Sequence, residues 1–205
     1  MNNNKITIKF CFEVEPFEIN RYIFHAHSSK QIQRIEMTGN STDNDIALFV
    51  GSFLSFGNFS FGSQFIDSLF EEEEVALVGG LLFEQNDLKI GASCCAEFQD
   101  WIAVVEDIKR QVSPWMGHDP DPWFEFEGDK IILWSDEEGR ENIYSIQLTQ
   151  QELGQQLSIA KQELQYFINK IELFALKNYK DDYRELVQRI KQYLFVEHKE
   201  DRNIN

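Results

Sequence analysis

Basic residues, cysteine and proline are all scarce in this chain. Its 205 residues hold 19 Lys and Arg against 35 Asp and Glu, a formal charge of −16. Attraction to phosphate dominates nucleic-acid affinity, so this shortage of bases argues against a nucleic-acid binder. Three Cys are too few for a disulfide scaffold, and an odd count with two adjacent fits a reducing compartment. Four Pro and 11 Gly exclude collagen-like and low-complexity chains. Long hydrophobic runs are missing too. The densest apolar stretch, residues 46–61, is broken by Gly51, Ser52, Ser55, Gly57, Asn58 and Ser60. It falls short of the roughly 20 apolar residues that a membrane-spanning helix needs. The start, Met1-Asn2-Asn3-Asn4-Lys5, has no apolar region of the secretory kind. Together these absences predict a soluble cytoplasmic protein that engages neither membrane nor nucleic acid.

What is present is an ordinary globular mixture, 42% hydrophobic and 26% charged, with an unusual 18 Phe to supply buried area. The length suits one domain with a sizeable core. Charge is unevenly spread. Residues 1–42 carry a net +1 and residues 149–205 a net of zero, whereas residues 43–141 hold 22 acids and five bases, a net of −17. That segment includes Glu71, Glu72, Glu73, Glu74, Asp119 and Asp121. A surface of this kind keeps a protein soluble, and it also attracts basic protein partners and repels wrong ones.

Periodicity orders the elements. From Lys5 to Glu15, Ile6, Ile8, Phe10, Phe12 and Val14 alternate with polar residues, the pattern of a half-buried strand that Pro16 ends. Residues 21–27 and 31–38 are weaker strands, and Ser63 can cap a short helix through Phe70. Residues 46–61 show no single period. Val75–Glu84 and Leu88–Ser93 predict a hairpin across Gln85-Asn86-Asp87. Phe98, Trp101, Ile102, Val105, Ile108 and Val112 predict a helix over 96–112, which Pro114 stops. Gly128-Asp129 joins strands 123–127 and 130–134, and residues 142–148 alternate once more. Thr149-Gln150-Gln151-Glu152 is a capping box opening a helix to about Asn178, and Asp181 or Asp182 caps a second one. The expected fold is α+β: a mostly antiparallel sheet, one central helix, and a C-terminal antiparallel helical pair over 149–197 packed on one face, all within a single domain over 1–205.

No catalytic motif is present. Gly51, Gly57 and Gly79-Gly80 lack the basic residue of a phosphate loop, no G-x-S-x-G elbow occurs, and no EF-hand spacing surrounds Asp119-Pro120-Asp121. His118 beside Asp119 offers a general base with an orienting carboxylate, but adjacent residues seldom face one another. Cys94-Cys95, near the expected helix start, are candidates for a lowered thiol pKa, with burial as the plainer reading. His25 and His27 point the same way from a strand and, with His118 and Cys94 or Cys95, form a conceivable zinc set of unfamiliar spacing. Trp115, Trp123 and Trp134 surround the Pro-rich loop 113–122 either as core filler or as partner anchors.

No motif ties the chain to a named family. In size, acidity and layout it resembles small bacterial inhibitor and immunity proteins. The leading expectation is a non-enzymatic binding or regulatory protein, without cofactor, that engages a basic protein through its acidic segment and the three Trp. The alternatives are a metal-binding protein or small hydrolase built on His25, His27, Cys94, Cys95, His118 and Asp119, and a structural subunit assembling through the C-terminal helices.

Overall fold

The computed structural model describes residues 5–14, 33–55, 77–137, 139 and 141–195. The fold is α+β, with, among the described residues, two antiparallel sheets and four α-helices. Strands β1 (Ile6–Val14), β2 (Gln33–Glu36), β3 (Gly79–Gln85) and β4 (Leu88–Gly91) form a curled sheet in the order β2-β1-β3-β4. Strands β5 (Trp123–Glu127), β6 (Lys130–Trp134) and β7 (Ser145–Thr149) form the second sheet in chain order. The helices are α1 (Asp43–Ser55), α2 (Trp101–Lys109, preceded by a 3-10 turn at Phe98–Asp100), α3 (Gln150–Tyr179) and α4 (Tyr183–Phe195). The expected strand at 21–27 and helix at 63–70 lie outside the described residues.

Local chemistry explains most of these bounds. β1 buries Ile6, Ile8, Phe10, Phe12 and Val14 on one face. Both hairpins turn in two residues: Gln85 pairs with Leu88 around Asn86 (φ 56°), and Glu127 with Lys130 around Gly128 (φ 66°). At the start of α3, Thr149 Oγ1 accepts from the Glu152 amide at 3.1 Å and Glu152 Oε2 accepts from the Thr149 amide at 2.8 Å. Two free amides are thus satisfied at once. The 30 residues of α3 span about 45 Å at 1.5 Å per residue, and Leu157, Leu164, Phe167, Ile168 and Ile171 lie buried along it.

Two elements depart from expectation. Of the stretch 46–61, which showed no single period, residues 46–55 belong to α1, and the rest lie outside the described residues. Every residue from Ile46 to Leu54 is buried, and a helix enclosed on all sides carries no amphipathic signature. Its start was nonetheless written in Thr42 and Asp45: Thr42 Oγ1 accepts from the Asp45 amide at 3.2 Å, and Asp45 Oδ2 accepts from the Thr42 amide at 2.7 Å. The helix expected over 96–112 is shorter, and Val112 is 52% exposed beyond its end.

The core is one contiguous apolar cluster centred on aromatic rings. Phe49 of α1 meets Phe12 of β1 at 5.1 Å and Phe167 of α3 at 5.3 Å, both edge to face. Such offset pairs add to plain area burial. α4 closes the cluster: Trp101 Nε1 donates to the Leu194 carbonyl at 3.0 Å, and the Tyr193 hydroxyl accepts from the Leu77 amide at 3.0 Å.

Candidate functional site

The β5–β6 register sets Trp123 opposite Trp134 on the outer face of the three-stranded sheet. Their rings stack with centroids 5.7 Å apart and planes 15° from parallel, and both are half-buried. Each indole N–H is satisfied by the protein itself. Trp123 Nε1 donates to the Asp136 carbonyl at 3.0 Å, and Trp134 Nε1 donates to Glu125 Oε2 at 3.2 Å. The Asp136 carboxylate in turn accepts from the Asp121 amide at 3.0 Å and the Glu137 amide at 2.9 Å. Two indoles are therefore bordered by Glu125 and Asp136, and the main chain of Asp121 is tied to the Asp136 carboxylate. A negative aromatic face beside carboxylates favours a guanidinium or ammonium group.

The segment that holds this pair carries charge of the same sign. Within 43–141 the structure describes sixteen acids and four bases. Each of those bases already faces a carboxylate: Lys89 with Glu84, Lys109 with Glu106, Arg110 with Asp107 and Lys130 with Glu127. Glu71, Glu72, Glu73 and Glu74 lie outside the described residues.

Trp115 belongs elsewhere. Its ring is 46% exposed and meets His118 edge-on at 5.3 Å, which corrects the core-filler reading for this residue. Pro114 and Met116, its neighbours, are the buried anchors of the loop. Trp115, Met116 and Trp101 line a crevice of about 10 Å³. Small-molecule pockets hold roughly 300–1,000 Å³, so this crevice has room for one water and no substrate.

Loop 113–122 does approach Cys94 and Cys95. The Ser93 amide donates to the Met116 carbonyl at 2.8 Å, and Gly117 packs so closely on this turn that a Cβ there would lie 1.9 Å from Ser93 Oγ. With φ 115°, only glycine fits. The two thiols are exposed, not buried. Nor do they sit on the free amides of a helix, because Glu97 takes the N-cap position of the 3-10 turn before α2. The Cys95 thiol is raised above its ordinary pKa by its hydrogen bond to Cys94 and the charge of that neighbour, the reverse of thiolate activation. His118 faces Trp115. Among the described residues no three His, Cys, Asp or Glu side chains are placed to hold a metal ion. His25 and His27 lie outside them.

The outer face of the four-stranded sheet carries an ion-pair lattice that the sequence did not reveal. Lys9 Nζ lies 2.8 Å from Glu36 and 2.6 Å from Glu84, Lys89 also pairs with Glu84, and Arg34 pairs with Glu13. Three acids meet three bases, so this face is balanced and the acidic excess lies elsewhere. Cys11 sits beneath it, fully buried, and burial pushes its thiol up to about 12 despite Arg34 nearby. Only the β1 alternation pointed to this face, because its partners come from β2, β3 and β4. No helix among the described residues is long and apolar enough to cross a membrane. Compared with protein-family models, curated proteins and solved structures, the chain matches none.

Proposed function

We propose that the protein is a non-catalytic binding protein that engages a basic protein partner through its acidic surface, as an immunity-type neutraliser does. The supporting observation is the stacked Trp123–Trp134 pair bordered by Glu125 and Asp136, with Asp121 bound to the latter through its main chain. An Arg or Lys of the partner lies over the indoles while the carboxylates neutralise it, and the surrounding field speeds encounter. An arginine-rich peptide titrated into the full chain, followed by Trp fluorescence, tests this. Binding should weaken steeply between about 0.1 and 1 M salt, as the screening length contracts from about 10 to 3 Å. Glu125→Gln with Asp121→Asn should weaken it at least several-fold. Charge reversal of Glu71–Glu74 should slow association with a cognate basic protein. Binding indifferent to salt and to all these changes overturns the reading.

A second reading, a subunit that assembles through its C-terminal helices, draws on the outward face of α3. Ile159, Tyr166 and Leu173 recur every seven residues and are 48, 45 and 69% exposed, with uncharged Gln162, Gln165 and Asn169 among them. An antiparallel two-fold pairing about Tyr166 sets Ile159 against Leu173 of a second copy without opposing like charges. Sedimentation velocity decides it. Concentration-dependent dimers that Leu173→Lys abolishes favour this reading, and a monomer at all concentrations removes it.

A further inference from the structure

The exposed turn beside loop 113–122 presents two thiols in one rigid frame. Cys94 and Cys95 occupy the two central positions of a tight turn closed by a hydrogen bond from the Ala96 amide to the Ser93 carbonyl at 3.2 Å. Cys95 adopts φ 66°, left-handed backbone that a non-glycine residue seldom takes without surrounding constraint. The constraint is visible on both sides. Ser93 is buried and tied to Met116, Ala96 is buried and its carbonyl accepts from the Gly79 amide at 3.1 Å, and Gly117 packs against the turn. Both cysteines are exposed, and they stand next to each other in the turn.

This geometry is poor for a disulfide. Successive Cα atoms across a trans peptide are about 3.8 Å apart, whereas relaxed disulfides need about 4.4–6.8 Å. A third atom inserted between the sulfurs removes that conflict, because each sulfur then bonds the bridge rather than its neighbour. We propose that Cys94 and Cys95 form a vicinal dithiol site for a trivalent, thiophilic centre, of which a trivalent arsenical is the chemical class. In the binding step two S–H bonds and the arsenic–oxygen bonds of an arsine oxide break, two arsenic–sulfur bonds form, and the two protons leave with the oxygen as water. Arsenic stays trivalent throughout, so no oxidant or reductant takes part. The fixed turn holds both thiols side by side before binding, which lowers the ordering cost of closing the ring. Cys11, the remaining cysteine, is buried within the sheet and serves as an internal reference.

The test uses the full chain and phenylarsine oxide. Native protein should bind one equivalent, seen by intact mass as the arsenical less one water. The adduct should survive excess monothiol and be removed by 2,3-dimercaptopropanol. Cys94→Ser and Cys95→Ser should each lose retention completely, while N-ethylmaleimide still labels the remaining exposed thiol and far-ultraviolet circular dichroism is unchanged. Cys11→Ala should retain the arsenical as the parent chain does, and Cys11→Ser serves if the alanine variant folds poorly. Three results overturn the proposal: retention in either single variant, no retention by the unmodified parent chain although a parallel sample shows both thiols open to N-ethylmaleimide, or no alkylation of Cys94 and Cys95 in the folded protein.

Discussion

The Gln85 side-chain amide pairs with both main-chain polar groups of Gln147. Its Nε2 donates to the Gln147 carbonyl at 2.9 Å, and its Oε1 accepts from the Gln147 amide at 3.3 Å. A side chain thus acts as a strand would, and it ties the end of β3 to β7 where the two sheets approach each other. The contact is solvent-accessible, so water competes for it.

Gln85→Ala is therefore expected to cost about 1 kcal/mol, within the range of one or two partly exposed hydrogen bonds. Gln85→Glu keeps the acceptor and loses the donor, and should fall between parent and alanine variant. Urea denaturation midpoints at constant slope measure both.

Trp115 and Trp101 should respond very differently to truncation. Trp115 is 46% exposed, and Trp115→Ala is expected to change stability by less than about 1 kcal/mol. Trp101 is buried, donates its indole N–H to Leu194, and lies under the Lys161 ammonium at 5.0 Å. Trp101→Ala should cost about 3–5 kcal/mol. Equilibrium unfolding of the two variants side by side provides the comparison.

Glu84 couples stability to acid. Burial would raise its pKa, but the hydrogen bonds from Lys89 and Lys9 and their charges outweigh that, and the carboxyl titrates below its ordinary value. A depressed folded pKa contributes stability above the unfolded value, about 4.3 for Glu, and that contribution fades as pH falls through the folded value. Glu84→Gln should be less stable than the parent at neutral pH, and the gap should close as pH drops below about 4. Thermal midpoints across this window give the difference directly. A gap constant with pH would mean that packing, not charge, sets the effect.

The C-terminal helix is a structural part of the core. A chain ending at Tyr179 loses buried Leu186, Val187, Ile190, Tyr193 and Leu194, together with the bonds to Trp101 and Leu77. Each large apolar side chain contributes roughly 1.5–3 kcal/mol of burial, and whole domains have about 5–15 kcal/mol to lose. The shortened chain should be unfolded or insoluble by circular dichroism and sedimentation. A folded, monomeric product would instead make α4 an appendage.

Much of this protein follows from short-range chemistry that a sequence states outright. The alternation in β1, the two-residue turns at Asn86-Asp87 and Gly128-Asp129, and the Thr149–Glu152 capping box each involve residues within a few positions of one another. Their geometry is set by backbone preference and local hydrogen bonds before any tertiary contact forms. The Trp123–Trp134 pairing belongs with them, because a two-residue turn after Glu127 determines the register. Other features depend on what lies across space. α1 is enclosed by β1 and α3, so its burial erases the periodicity that would announce it. Trp115 is exposed because Pro114 and Met116 take the buried positions on either side. Cys11 and its lattice of Lys9, Arg34, Glu36 and Glu84 draw on three strands at once, and Gly117 meets Ser93 across 24 residues of chain. Amphipathic patterns record whether a residue faces inward, but not which distant residue it meets. That choice is made when helices and sheets pack, and it set the ion pairs around Cys11 and the seating of loop 113–122 on the Cys94–Cys95 turn.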